Sequence, residues 1–174
     1  MSLLSRLLGR TPDERQALRP LWQRVVTLAR TPAWYARLGV VDSKEGRFDM
    51  VTLALATVLL RMEREPALAE AQARLTELFV EDMEGQLRQE GIGDPTVGKQ
   101  VRKLVTTLGG RLGALRNALP EGEAALVPVI ERNLTVLPQA DLAALASAVV
   151  AMHGAIASTA TEALLAGDFA YEPT

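Results

Sequence analysis

Apolar residues recur along most of this chain at the three- and four-residue spacing of an α-helix, and prolines mark where one run gives way to the next. Proline suits the first position of a helix, where its missing N–H would have no partner anyway. Pro12, Pro32, Pro66, Pro95, Pro120 and Pro138 fit that role, and Thr11, Thr31 and Asp94 stand in front of three of them as caps. Thr11 with Glu14 has the form of a capping box. The pattern predicts helices over 12–30, 32–38, 47–64, 66–90, 95–117, 121–136 and 138–166. Pro20 and Pro128 fall inside two of these and should kink or split them. Gly39 and Gly91 are placed to end helices in the left-handed conformation. No convincing strand and no internal repeat is visible.

The faces differ from helix to helix. In 47–64, Val51, Leu53, Leu55, Val58, Leu59, Leu60 and Met62 spread nearly all round the axis, which predicts the central, fully covered helix. The 66–90 helix carries one stripe (Leu68, Ala71, Leu75, Leu78, Phe79, Met83), and so does 95–117 (Val97, Val101, Leu104, Leu108, Leu112, Leu115). Joined by the short Gly91-Ile-Gly-Asp94 turn, these two should form an antiparallel hairpin. The expected fold is therefore all-α: a single-domain bundle of about six or seven helices over 12–166, with an amphipathic arm over 1–11 and a tail over 167–174. In the arm, Leu3, Leu4, Leu7 and Leu8 share a face flanked by Arg6 and Arg10, which suits a membrane surface, a partner or the chain's own domain. Arg6 breaks the apolar run, and a small-residue cleavage site is missing, so this is not read as a signal peptide.

Composition narrows the function classes. The chain has 174 residues, 48% hydrophobic and 23% charged, enough for one domain with a real core. Aromatics are 4%, so Leu, Val, Ala and Met must build that core. There is no cysteine, and His153 is the single histidine, so neither a thiolate nor a multi-histidine metal site can form. No catalytic residue, metal or cofactor is expected: the chain lacks a phosphate-binding loop and a nucleophile elbow. The stretch Leu142–Thr161 is uncharged, but eight of its 20 residues are alanine, which favours a buried helix over a membrane span. His153 within it reads as a packed residue.

Net charge is −2, so no DNA partner is expected, but the charge is arranged in blocks. Residues 48–94 carry four basic and ten acidic side chains, whereas 95–120 carry five basic and none acidic. The Lys99–Arg116 block is a candidate for meeting something negative, against the simpler reading of a solvated face. Two anomalies stand out. Asp82 lies near the middle of an apolar stripe, so it is either buried with a partner, with Arg111 at the edge of the facing stripe a plausible mate, or facing a second protein. The buried alternative predicts that Asp82→Ala unfolds the chain. Gly109, Gly110 and Gly113 weaken a helix by about 0.8–1 kcal/mol each. They would let another backbone approach closely, from the same domain or from outside.

Pro32-Ala-Trp-Tyr-Ala-Arg-Leu-Gly-Val-Val-Asp42 followed by Gly46-Arg-Phe-Asp-Met50 resembles the ubiquinol–cytochrome c chaperone family. The stronger likeness is Leu78-Phe-Val-Glu-Asp-Met83 through Leu87-Arg88 and Gly91-Ile-Gly-Asp94, then Val97-Gly-Lys-Gln-Val-Arg-Lys103 and Gly110-Arg111. Where the family pattern has an aromatic pair before Gly110, this chain has Leu108-Gly109. The resemblance implies a non-enzymatic assembly chaperone for the cytochrome bc1 complex. It would bind newly made, apo-cytochrome b from the cytoplasm at the inner membrane surface, with a small helper protein and the ribosome as further contacts. Direct haem ligation is not expected. The alternative is a general helical protein-interaction module with a different client. Partner-binding candidates are Trp34, Tyr35, Arg47, Asp82, Lys99, Arg102, Lys103, Gly110 and Arg111. Trp34 and Tyr35 would line a groove or plug the core; Lys99, Arg102 and Lys103 would meet RNA, lipid phosphate or an acidic protein.

Overall fold

The all-round apolar run folds as one helix and is buried without a break from Asp49 to Met62. The computed structural model describes residues 16–89, 91 and 94–173; the arm over 1–11, Pro12 and the Thr11–Glu14 capping box lie outside them. In chain order the helices are α1 (Arg19–Ala29), α2 (Pro32–Ala36), α3 (Lys44–Glu63), α4 (Ala69–Gln89), α5 (Asp94–Ala118), α6 (Glu123–Asn133), α7 (Leu142–Ala157) and α8 (Thr161–Leu165). Helix α3 is the central one, packed by α1, α4, α5 and α7, and α4 with α5 forms the expected hairpin. No strand occurs among the described residues. A single antiparallel bridge joins Val40 to Val136.

Both stripes face inward as their spacing predicts. Leu68, Leu75, Leu78, Phe79 and Met83 are buried, as are Val97, Val101, Leu108 and Leu115, while Leu104 and Leu112 are half-buried. Gly39 and Gly91 take φ of 78° and 79°. The proline expectations are met in part. Pro20 does split the predicted 12–30 helix: the chain turns at Ala17 and Leu18, and a new helix begins at Arg19 with Pro20 in its first turn. Of the two outcomes expected at Pro128, a split does not occur: α6 continues past it to Asn133. Pro120 belongs to a 3-10 turn, Leu119–Glu121, and α6 begins after Gly122. Thr31 precedes α2 without a side-chain cap bond.

The predicted 138–166 helix is two helices, set by local polar groups. Asp141 caps α7 by accepting from the Ala143 and Ala144 N–H groups, both at 3.0 Å, so the helix begins at Leu142 and not at Pro138. At its other end the Ser158 and Thr159 hydroxyls both donate back to the Ala155 carbonyl at 2.9 Å, and the chain breaks before Thr161. Arg61 from α3 reaches this break, donating to Glu65 (2.6 Å), to the Thr159 carbonyl (3.1 Å) and to the Thr161 hydroxyl (3.3 Å). No helix among the described residues is long and apolar enough to cross a membrane.

Residues 167–173 lie against the body. Phe169 is buried, its carbonyl accepts from Arg24 Nε at 2.8 Å, and Tyr171 donates to the Ala148 carbonyl at 2.6 Å. Arg37 donates to the Pro173 carbonyl at 2.8 Å.

Two predictions follow from packing. A Cβ added at Gly46, in the first turn of α3, would lie 2.0 Å from the Val41 carbonyl oxygen. Backbone cannot swing away as a side chain can, so Gly46→Ala should lower the urea-unfolding free energy by about 2 kcal/mol or more. His153 is half-buried with its Nδ1 unpartnered; burial, with Arg64 as a smaller cause, holds its pKa below the ordinary 6.5. The unfolded chain therefore takes up this proton first, and stability present above pH 6.5 is lost as pH falls below it. His153→Leu should remove most of the slope in urea midpoint between about pH 6.5 and about pH 5, a window above the ordinary carboxylates.

Candidate functional site

The deepest polar cluster is built on Asp49, one turn inside α3. One carboxylate oxygen, Oδ1, pairs with Arg111 Nη2. The other, Oδ2, accepts from the Thr135 N–H at 2.8 Å and the Thr135 hydroxyl at 2.7 Å. Arg111 Nη1 also donates to the Asp49 carbonyl at 3.0 Å and to the Thr52 hydroxyl, and the guanidinium lies 5.8 Å from the Phe48 ring centroid. The two charged side chains are 7% and 10% exposed, Arg111 the more buried. This corrects two expectations together. Arg111 does not pair with Asp82, and it is not available to a partner because its donors are turned inward to α3.

Trp34 is wholly buried, and its indole N–H donates to the Leu28 carbonyl at 2.9 Å. It plugs the core and lines no groove. Tyr35 is half-buried, donating to the Ala29 carbonyl at 2.7 Å; burial, then the charge of Asp42, pushes its pKa up to about 12. Tyr171 of the tail rests against Trp34 with ring centroids 6.2 Å apart. Arg47 is exposed and donates to Asp42 Oδ1 at 2.6 Å, a hydrogen bond that holds the Asp42 carboxyl below its usual range.

Asp82 is partly exposed, and its Oδ2 accepts only a long bond from Gln86, at 3.4 Å. It edges a groove of about 280 Å³ between α1 and α4, lined by Trp22 and Leu78 together with Arg19, Glu81, Asp82 and Gln86. The nearest opposite charges there, Arg19 and Glu81, stand 3.9 Å apart and are about half exposed. The reading of Asp82 as a buried member of an internal pair does not hold.

Lys99, Arg102 and Lys103 are all exposed on the outward side of α5, with no ion-pair partner among the described residues. Gly109 and Gly110 continue that side, and Gly113 is half-buried beside them. A Cβ built at any of the three meets nothing within 4 Å, so no helix among the described residues closes on them. The candidate residues are thus dispersed. Lys99, Arg102, Lys103 and Gly110 share one face, Asp82 belongs to the α1–α4 groove, and Trp34 and Arg111 are interior.

The sequence profile described as ubiquinol-cytochrome C chaperone matches residues 36–171. The chain belongs to that family. A solved structure, the crystal structure of the Cbp3 homolog from Brucella abortus, is similar to this chaperone-family chain at 29% identity and a TM-score of 0.77. The likeness covers 98% of this chain and 97% of that one. No curated protein sequence matches it.

Within this family member, the motifs that carry the likeness divide by burial. Phe79, Met83, Val97, Val101 and Arg111 are inside, whereas Lys99, Arg102 and Lys103 are outside. Leu108, at the first place of the altered aromatic pair, is buried, and Gly109 at the second is open to solvent. The residue that sequence reasoning missed is Asp49. Its signal was available: a carboxylate followed at once by thirteen residues of almost uninterrupted apolar helix.

Removing Asp49 would strand a buried guanidinium, so Asp49→Ala should cost about 3–5 kcal/mol in chemical unfolding. Asp82→Ala should change stability by no more than about 0.5 kcal/mol, as expected for a surface carboxylate outside any buried network. The pair of unfolding curves separates the two aspartates.

Proposed function

We propose that this chain is a non-enzymatic assembly chaperone for the ubiquinol–cytochrome c reductase (bc1) complex. Its client is newly made cytochrome b, held transiently at the cytoplasmic surface of the inner membrane. The observation that carries the reading is the family match over residues 36–171, supported by the likeness along nearly the whole chain to the Cbp3 homolog. The physical layout agrees with a holding role. The motif residues buried in the hairpin build a scaffold, and the polar ones outside leave two surfaces open, the α1–α4 groove and the outer side of α5. The groove has a mixed polar lining, with Arg19, Glu81, Asp82 and Gln86 over the nearly buried Trp22 and Leu78, a form suited to orienting a polypeptide by charge.

Deletion of the gene should lower the amount of assembled bc1 complex while other respiratory complexes keep their levels. The tagged full-length chain should bring down cytochrome b from detergent-solubilised cells. Normal bc1 levels, together with capture of a soluble partner in place of cytochrome b, would instead establish a general helical interaction module.

A further inference from the structure

Residues 168–173 follow α8 without helix or strand and lie across the seam between α1, α2 and α7. Their side chains alternate as in an extended strand. Phe169, Tyr171 and Pro173 are buried or half-buried against the body, and Ala170 and Glu172 are exposed. The segment is gripped through its main chain: Arg24 Nε donates to the Phe169 carbonyl and Arg37 Nη2 to the Pro173 carbonyl, both at 2.8 Å. The Arg24 guanidinium also covers the Phe169 ring, 5.2 Å from its centroid. No N–H of residues 169–172 has a partner among the described residues, so the segment lacks the backbone pairing that fixes a helix or a sheet strand. The seat is also larger than what fills it. A cleft of about 480 Å³ lies between the segment and the corner of α1 and α2, with Thr27, Arg30 and Thr31 on one wall and Ala170 and Glu172 on the other. A segment that served only to close the core would be packed to the density of the rest of the interior.

We infer that the seat of residues 168–173 is a docking groove for an extended client segment with large apolar side chains at alternate positions, and that the chain's own strap occupies it until such a segment displaces it. The strap itself shows which ligand fits. Arg24 and Arg37 hold carbonyls, which every polypeptide carries at the same spacing, and the body takes up only every second side chain. Extended segments are recognised in this way, by main-chain bonds together with places for alternate side chains. Neither feature depends on the outward residues, and the cleft beside Ala170 admits a larger one. Because the strap is tethered to its seat, its effective concentration there is high, and weak binders are kept out. The inference rests on the holding role proposed above and gives it a seat. It is tested with a synthetic peptide and no cytochrome b, so its failure and that of the bc1 reading are separable.

The chain has no cysteine, so Glu172→Cys gives the full-length protein a single site for a spin label on the exposed side of the strap. The probe is a fluorescein-labelled peptide with Leu, Phe and Leu at alternate positions among serines. A second peptide of the same composition has the three apolar residues adjacent. The alternating peptide should bind, by fluorescence anisotropy, and over the same concentrations the electron paramagnetic resonance spectrum should shift from an immobilised to a mobile label. The rearranged peptide should do neither. Tyr171→Ala removes the strap's inward ring and its hydrogen bond to Ala148, so it should tighten binding of the alternating peptide by about 10-fold. Circular dichroism checks that this variant is folded; the spin-labelled parent decides the matter by itself if it is not. Binding that leaves the label immobilised overturns the inference, as does equal binding of the two peptides. No binding of the alternating peptide to the parent or to the folded variant overturns it too.

Discussion

The buried pair of Asp49 and Arg111 is the constraint on which the arrangement of this bundle depends. Apolar packing alone tolerates small rotations of one helix against another, because dispersion and burial have little direction. A carboxylate and a guanidinium out of water do not, because their cost is offset only by hydrogen bonds of defined geometry. Both Asp49 oxygens and both Arg111 Nη groups make such bonds, while Arg111 Nε has no partner among the described residues. Here the carboxylate of α3 is shared between Arg111 of α5 and the Thr135 backbone and hydroxyl in the α6–α7 connection. One residue therefore sets the rotation of α5 and the course of a distant loop. That loop is held a second time, by the Thr135 carbonyl accepting from the Val41 N–H at 2.9 Å and by Leu137 donating to the Gly39 carbonyl at 2.8 Å.

Fixing α5 from within also decides what it shows outside. With Arg111 turned inward, Gly110 and Lys103, seven residues apart, face outward together. The basic block and the glycines are then one continuous surface rather than two unrelated features of composition. The groove at Asp82 arises in a similar way. Trp22 of α1 meets Phe79 of α4 edge-on, with ring centroids 6.1 Å apart, and this contact spaces the two helices so that Leu78 and Asp82 edge an opening rather than a closed seam.

Much of the architecture was legible in the pattern of apolar positions. The all-round apolar character of α3, the single stripes of α4 and α5, and the short glycine turn between them are all local regularities, and the hairpin follows from them. The proline reading succeeded where proline had nothing to compete with, as at Pro32. It failed at Pro138, where Asp141 offers a better cap three residues later. The likeness to the chaperone family rested on an ordered set of short motifs, and the profile match over 36–171 bears that likeness out.

Fold class, the central helix, the hairpin and the family were thus determined by the sequence alone, because each depends on spacing that a linear pattern records. Which carboxylate pairs with Arg111, whether Trp34 faces a client or the core, and whether the α5 glycines are covered were decided only in three dimensions. Those questions turn on helix rotation and on approach between residues far apart in the chain. Asp49 and Arg111 are 62 positions apart and Asp49 and Thr135 86, and no period in the sequence connects them.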